Sequence, residues 1–332
     1  MFNAFNPNNL WLSKSSNSFI TLSDDELKFL ANKIFYNGGI LNPNTYISVE
    51  APPGGAGTAS TAPAALAPKV VSCGYTVIII QTKPYILIQK LGQGVYGSVF
   101  KGYSLYDKSY VAIKKQSMSN SQSIVKQCKL TKANGIGLAD LKSNSPPAFL
   151  MDRFGYFALP LADTSFDKWC ESKARLAKST GGGIGSPPYK EIISALIKIC
   201  DDLIRLHNNG YVHMDLKSDN VLMVDNVAYV SDFGQSEYRG KLIPSAMEDY
   251  KQYPQCGPEY FIGVSKESFY TVSHKFDLYS MGSLIKGVSQ RCSDKNMKGE
   301  LYNISTYLLR MDPDSRASLE TIKVYLSKLL NV

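Results

Sequence analysis

The sequence predicts an α+β protein of two lobes, a β-rich N-terminal lobe and an α-helical C-terminal lobe with a cleft between them. Three observations predict it. Between residues 75 and 115 run four short segments rich in β-branched and aromatic residues, parted by Gly, Pro, Asp and Lys turns, as antiparallel strands are. After Lys190 the apolar pattern changes to helical spacing. Upstream of both, an Ala/Pro/Gly/Thr-rich stretch at 51–68 cannot bury enough apolar surface to offset its ordering entropy, so it reads as a flexible linker.

Taken in order, residues 1–20 are rich in Asn and Ser and irregular. A helix follows: Ser23 caps it, Glu26 completes a capping box, and Leu27, Leu30, Ala31, Ile34 and Phe35 form its apolar face. Asn37-Gly38-Gly39 ends it. The expected organisation is an N-terminal extension with one docked helix (1–50), the linker (51–69), the β-rich lobe (70–161) and the helical lobe (162–332). The strands are YTVIII (75–80), YILIQKLG (85–92), GSVFKGYS (97–104) and YVAIKK (110–115). TGGGIGSPP (180–188) reads as a second mobile insertion. Ile193, Leu196, Ile197, Cys200, Leu203, Ile204 and His207 then mark one helix, stopped at Asn208-Asn209-Gly210, and 277–288 and 318–330 fit two more.

The totals narrow the classes. With 332 residues, 44% hydrophobic and 19% charged, the chain can bury a proper core. The net charge of +8 lies after residue 69, yet no block of five or more Lys/Arg occurs. The excess therefore reads as solubility plus a phosphate site, with no clear nucleic-acid or membrane signal. The six Cys are far apart, with no C-x-x-C and no His at zinc spacing, which points to free thiols in a reducing compartment. The N-terminus lacks the marks of a signal peptide and YTVIII is too short to span a bilayer, so an intracellular setting, cytoplasmic or nuclear, is expected.

Four motifs carry chemistry. LGQGVYGSV (91–99) places Gly92, Gly94 and Gly97 before Val99. Such glycines let a backbone approach phosphates, although alone the pattern serves a tight hairpin equally well. A strand and not a helix follows it, so the loop would lie over a nucleotide like a flap. In VAIKK (111–115) strand alternation puts Ala112 and Lys114 on the face opposite Ile113. In YVHMDLKSDNVLM (211–223), Asp215 can accept a hydroxyl proton, Lys217 can neutralise phosphoryl charge and Asn220 can bind Mg²⁺. In VSDFGQS (230–236), Asp232 follows a strand and can hold Mg²⁺ bridging nucleotide phosphates.

In this order and spacing the motifs resemble the eukaryotic-type protein kinase family over roughly residues 75–330. CGPEYF (256–261) is similar to the end of the activation segment, with Gly257 where the family has Ala. The resemblance implies a bilobal kinase fold that uses ATP and Mg²⁺ to phosphorylate protein substrates. Gly92, Gly94, Val95, Gly97, Val99, Ala112 and Lys114 would line ATP, with Leu159 and Leu161 at the adenine hinge around Pro160, which has no N–H. Asp215 and Lys217 would be catalytic, and Asn220 and Asp232 metal ligands. It also implies that Asp277 braces the catalytic loop and that Arg316 pairs with Glu259. The D-L-K-x-x-N form looks like the Ser/Thr branch.

Two departures stand out. No Glu occurs between Val111 and Trp169 to pair with Lys114. Gln127 fits that position best, Asp140 less well, and a carboxylate from the N-terminal segment or a partner is the remaining option. Met214 stands where most of the family has Arg, the residue that receives an activation-loop phosphate, so loop phosphorylation is not expected to be required. The short stretch between DLYSMG and DPDSRAS looks trimmed. With the added N-terminal material it resembles virus-encoded kinases.

Overall fold

The computed structural model describes residues 46–49, 73–80, 83–94, 97–117, 148–151, 154–183, 185–246, 253–261 and 268–331. The chain divides into two compact units, residues 1–118 with 147–158, and residues 119–146 with 159–332. The helix expected at 23–35, the linker, Val95, Gln127 and Asp140 lie outside the described residues.

The first unit is a β-sheet. Its strands are β1 (Tyr46–Val49), β2 (Cys73–Ile80), β3 (Lys83–Gly94), β4 (Gly97–Ser104), β5 (Ser109–Ser117), β6 (Ala148–Met151) and β7 (Phe154–Pro160). They lie in the order β1-β2-β3-β4-β5-β7-β6. Alternation decides which side chains go inward. Ile78 and Ile80 of β2, Tyr85 of β3, Val111 and Ile113 of β5, and Tyr156 and Ala158 of β7 form one buried cluster. β2 is thus part of the core and not an appendage. The β1 strand falls in the segment expected to be an extension, yet it pairs antiparallel with β2, Tyr46 opposite Thr76. Burial of β2 leaves an edge that β1 covers. The β3–β4 ladder shifts register between Leu87 and Gln89 and again between Lys90 and Gly92. Such bulges bend the hairpin just before its glycines.

The second unit is mainly helical. β8 (Thr164–Ser165) leads into α1 (Phe166–Ser179), followed by α2 (Pro187–Asn208) and β9 (Tyr211–Val212). β10 (Val221–Val224) and β11 (Val227–Val230) form a hairpin, and with β8 a three-stranded sheet in the order β11-β10-β8. β12 (Glu237–Tyr238) pairs with β9, and β13 (Leu242–Pro244) with β14 (Phe269–Thr271). Helices α3 (Lys275–Arg291), α4 (Lys295–Thr306) and α5 (Leu319–Leu330) complete it. The apolar stripe of α2, including Leu196, Cys200 and Leu203, is fully buried among Ile285 of α3, Leu301 of α4 and Ile322 and Leu326 of α5.

One expectation changes here. The described residues 180–183, 185 and 186 form the turn between α1 and α2, and 187–188 begin α2. Gly182 N–H closes α1 on the Ala177 carbonyl at 2.7 Å, and Pro187 and Pro188 open α2, where a missing N–H costs nothing. The stretch after α3 that looks trimmed holds one helix, α4. Asp294 caps it through the Met297 N–H at 2.7 Å, and Met297, Leu301 and Ile304 are buried.

Candidate active site

In the sheet unit, register alone groups the expected nucleotide residues. Val99 lies opposite Lys114 and Lys101 opposite Ala112, so Val99, Ala112 and Lys114 share one face. Val111 and Ile113, between them, point into the core. The hairpin pairs Gly92 with Val99 and Gly94 with Gly97. Its glycines have different reasons. A Cβ at Gly97 would overlap the Lys115 carbonyl oxygen, so close strand packing requires glycine there. Among the described residues, a Cβ at Gly92 would meet nothing within 4 Å, and at Gly94 only the Gly97 carbonyl oxygen at 4.0 Å. Those two positions leave backbone open to a ligand. Leu159 at the end of β7 and Leu161 just after it, in the second unit, are half-buried.

In the helical unit the catalytic-loop candidates hang from one buried carboxylate. Asp277 of α3 is fully buried and accepts from the backbone N–H groups of His213 at 2.7 Å and Met214 at 3.1 Å, and from His207 Nε2 at 2.8 Å. Burial opposes its ionisation, but the bond and charge of His207, with those of His213, outweigh that and hold its pKa below the usual carboxylate range. The arrangement holds Met214 at φ +66°, a left-handed conformation that non-glycine residues rarely adopt. The Met214 side chain packs against the apolar cluster of Val212, Tyr270, Val272 and Phe276.

From that bend Asp215 emerges. Its N–H donates to His213 Nδ1 at 3.2 Å, which leaves His213 Nε2 to donate to the Ser231 carbonyl at 3.0 Å. Lys217 Nζ lies 3.0 Å from both Asp215 carboxylate oxygens. Asn220 Nδ2 donates to the Asp215 carbonyl at 2.7 Å and to Asp215 Oδ2 at 2.9 Å. The Asn220 carbonyl in turn accepts from Ser231 N–H at 2.8 Å and Ser231 Oγ at 2.9 Å. Asp232 follows in a left-handed conformation, φ 60° and ψ 63°, and Phe233 after it is buried with its ring 5.3 Å from that of His213. Asp215, Lys217, Asn220 and the residue before Asp232 thus form one hydrogen-bonded set.

No protein-family model matches the chain. It is 27% identical to the cyclin-dependent kinase F-3 of Oryza sativa subsp. japonica over 159 residues, 45% of this chain and 33% of that protein. It is 27% identical to the MAPK/MAK/MRK overlapping kinase of Homo sapiens over 218 residues, 60% of this chain and 45% of that protein. A probable serine/threonine-protein kinase of Clostridium perfringens is 26% identical over 212 residues, 60% of this chain and 28% of that protein. The chain spans less than half the length of each of these three relatives. The chain is thus similar, at low identity, to several serine/threonine protein kinases.

In this kinase fold Arg316 and Glu259 make a bidentate pair, Nη1 to Oε1 and Nη2 to Oε2, both 2.7 Å. Arg316 also donates to the carbonyls of Lys275 at 2.7 Å and Arg310 at 2.9 Å, and its guanidinium lies 5.0 Å from the Tyr279 ring centroid. Such a fork satisfies a buried guanidinium in a way Lys does not. Gly257 has a local reason too: a Cβ there would stand 2.5 Å from Glu259 Oε1.

Between Asp232 and Glu259, residues 240–246 are tied down by backbone bonds. Gly240 N–H donates to the Val272 carbonyl, Val272 N–H to Lys241, Ser245 N–H to Ser268 and Ala246 N–H to Tyr260, at 2.8 to 3.0 Å. Cys256, packed beside the Met214 cluster, has its thiol pushed up to about 12, by burial first and the Asp215 charge next.

Sequence reasoning missed several partners of this site. His207 was read as part of the apolar face of α2, and its bond to Asp277 spans seventy positions. Asp167 of α1 accepts from the catalytic-loop Ser218 Oγ at 3.1 Å and pairs with Arg291. Asp202 of α2 carried no motif signal. Among the described residues no helix is long and apolar enough to cross a membrane.

Proposed function

We propose that this chain is an ATP- and Mg²⁺-dependent serine/threonine protein kinase. The observation that carries the reading is the hydrogen-bonded set of Asp215, Lys217 and Asn220 joined through Ser231 to Asp232. Gly92, Gly94, Val95, Gly97, Val99, Ala112 and Lys114 take the nucleotide on the sheet unit, and Leu159 and Leu161 take its adenine. Asp215 orients a protein hydroxyl and accepts its proton as the oxygen attacks the γ-phosphorus and the bond to ADP breaks. Lys217 neutralises charge on the phosphoryl group in flight.

The donor chemistry fits Mg²⁺. Asn220 turns its amide nitrogen to Asp215, which leaves its amide oxygen as the outward donor, and Asp232 adds a carboxylate. These are hard oxygen ligands, few enough that water and phosphate oxygens complete the shell. Bound there, Mg²⁺ neutralises charge on the phosphates.

The substrate class and the Ser/Thr preference follow the relatives' printed names and the D-L-K-x-x-N loop. A second reading, a catalytically weak pseudokinase scaffold, is favoured by the missing Glu between Val111 and Trp169. Transfer of labelled γ-phosphate to a generic basic protein decides between them. The wild-type chain should transfer it and Asp215→Ala should lose at least about a hundredfold; equal, background-level transfer by both would leave the scaffold.

Met214, half-buried against an apolar cluster, and the backbone bonds that hold residues 240–246 support activity without loop phosphorylation. Phosphatase-treated enzyme should therefore match untreated enzyme in rate.

A further inference from the structure

The approach to Asp232 is gripped from two sides. On one, the catalytic loop holds Ser231: its N–H and Oγ donate to the Asn220 carbonyl, and its own carbonyl accepts from His213. On the other, Val230 N–H donates to Asp202 Oδ2 at 3.1 Å. β11 is an edge strand of its sheet and α2 packs against it. An edge N–H buried under a helix needs an acceptor that the sheet cannot provide. Asp202, 1% exposed, supplies it from the helix side. Lys198, one turn earlier, supports the carboxylate at 2.5 Å and lies 4.8 Å from the Tyr229 ring centroid.

From this we infer that Asp202 is a positioning residue for Asp232, fixing through the Val230 amide the direction in which the metal-ligand carboxylate leaves the strand. The inference rests on the reading of Asp232 as a metal ligand. Asp232 sits in the left-handed region, which non-glycine residues leave unless neighbours over-determine them. Just two positions separate it from Val230, so freedom in the Val230 peptide passes directly into its φ and ψ. Burial pushes the Asp202 pKa up against the pull of Lys198. A side chain needed for packing alone would serve better as Leu. What the carboxylate adds is an acceptor aimed at Val230.

The test uses the full chain with Mn²⁺ as the probe, titrated in the presence of ATP and read by the electron paramagnetic resonance of free Mn²⁺, without turnover. Asp202→Asn keeps an acceptor oxygen and should bind Mn²⁺ within about twofold of wild type. Asp202→Leu, of similar bulk without an acceptor, should raise half-saturating Mn²⁺ about tenfold, the size expected when one buried donor is left unpaired. Metal-free ATP binding should stay unchanged. Replacing the Val230 amide by an ester removes the N–H alone, keeps every side chain, and should reproduce the Leu effect even if the Leu variant fails to fold. Wild-type Mn²⁺ affinity in the ester variant overturns the inference. An equal loss of metal-free ATP binding also overturns it, since that marks a general structural role. A wild-type chain that binds ATP but no Mn²⁺ would instead remove the metal-ligand reading beneath it.

Discussion

The proposed nucleotide face of the sheet unit and the proposed catalytic loop of the helical unit are built in opposite ways. Val99, Ala112 and Lys114 share a face because neighbouring strands pair in register, a relation among residues close in sequence. The bend that carries Asp215 is held by a buried polar group from elsewhere in the chain, Asp277, more than sixty positions downstream. Strand register is shared among many bonds, whereas a single buried carboxylate gathers three donors. Damage should therefore spread differently in the two regions.

The largest effect is expected at Asp277. Asp277→Ala leaves two backbone N–H groups and His207 without their acceptor, and should lower stability by roughly 3–5 kcal/mol, measured by urea unfolding. Activity should fall even where the variant is still folded, because Met214 loses the bonds that hold its left-handed bend.

The glycine hairpin sharpens the contrast by separating packing from ligand approach. Gly97→Ala should cost about 1–3 kcal/mol, because the Lys115 carbonyl is backbone and cannot rotate aside. Gly92→Ala should leave the unfolding midpoint within about 0.5 kcal/mol of wild type, as expected for an open site. Its cost should appear in ATP affinity alone; equal thermal shifts for the two variants would make both glycines structural.

The smallest effect concerns His274, at the N-terminus of α3, whose ring centroid is 5.8 Å from that of His207. Burial lowers its pKa, and the charges of His207, Lys275 and Arg239 push the same way while Asp277 opposes them. The unfolded chain therefore binds this proton more readily than the folded one. The stability that this group contributes is present above its unfolded pKa of about 6.5 and is lost as pH falls through the lower folded value. Melting temperature should drop on going from pH 7 to pH 5, and His274→Gln should flatten that slope.

How much of this was legible follows the same division. Strands β4 and β5, helix α2 and the pairing of Arg316 with Glu259 were expected from spacing or from family resemblance. β3 runs two residues further at each end than its apolar run, because it pairs with β2 back to Lys83 and with β4 through the glycines to Gly94. Helix α1 was not expected. Its buried stripe of Phe166, Trp169, Cys170, Ala174 and Ala177 ends in small residues, so the periodic signal fades before the helix does, and α2 covers what remains. β13 and β14 are three residues each, and only their mutual pairing makes them strands.

Sequence alone singled out the residues proposed to bear the chemistry: Lys114, Asp215, Lys217, Asn220 and Asp232 stand out by type and interval, because phosphate, metal and proton each demand a particular functional group. It also determined the alternation that faces Lys114 away from the core. Only the tertiary structure decided what holds Asp215 and Asp232 in place. A buried hydrogen bond depends on where two side chains end up in space, and nothing at Asp202, His207 or Asp277 records the distance across the fold to the amide or ring it will meet.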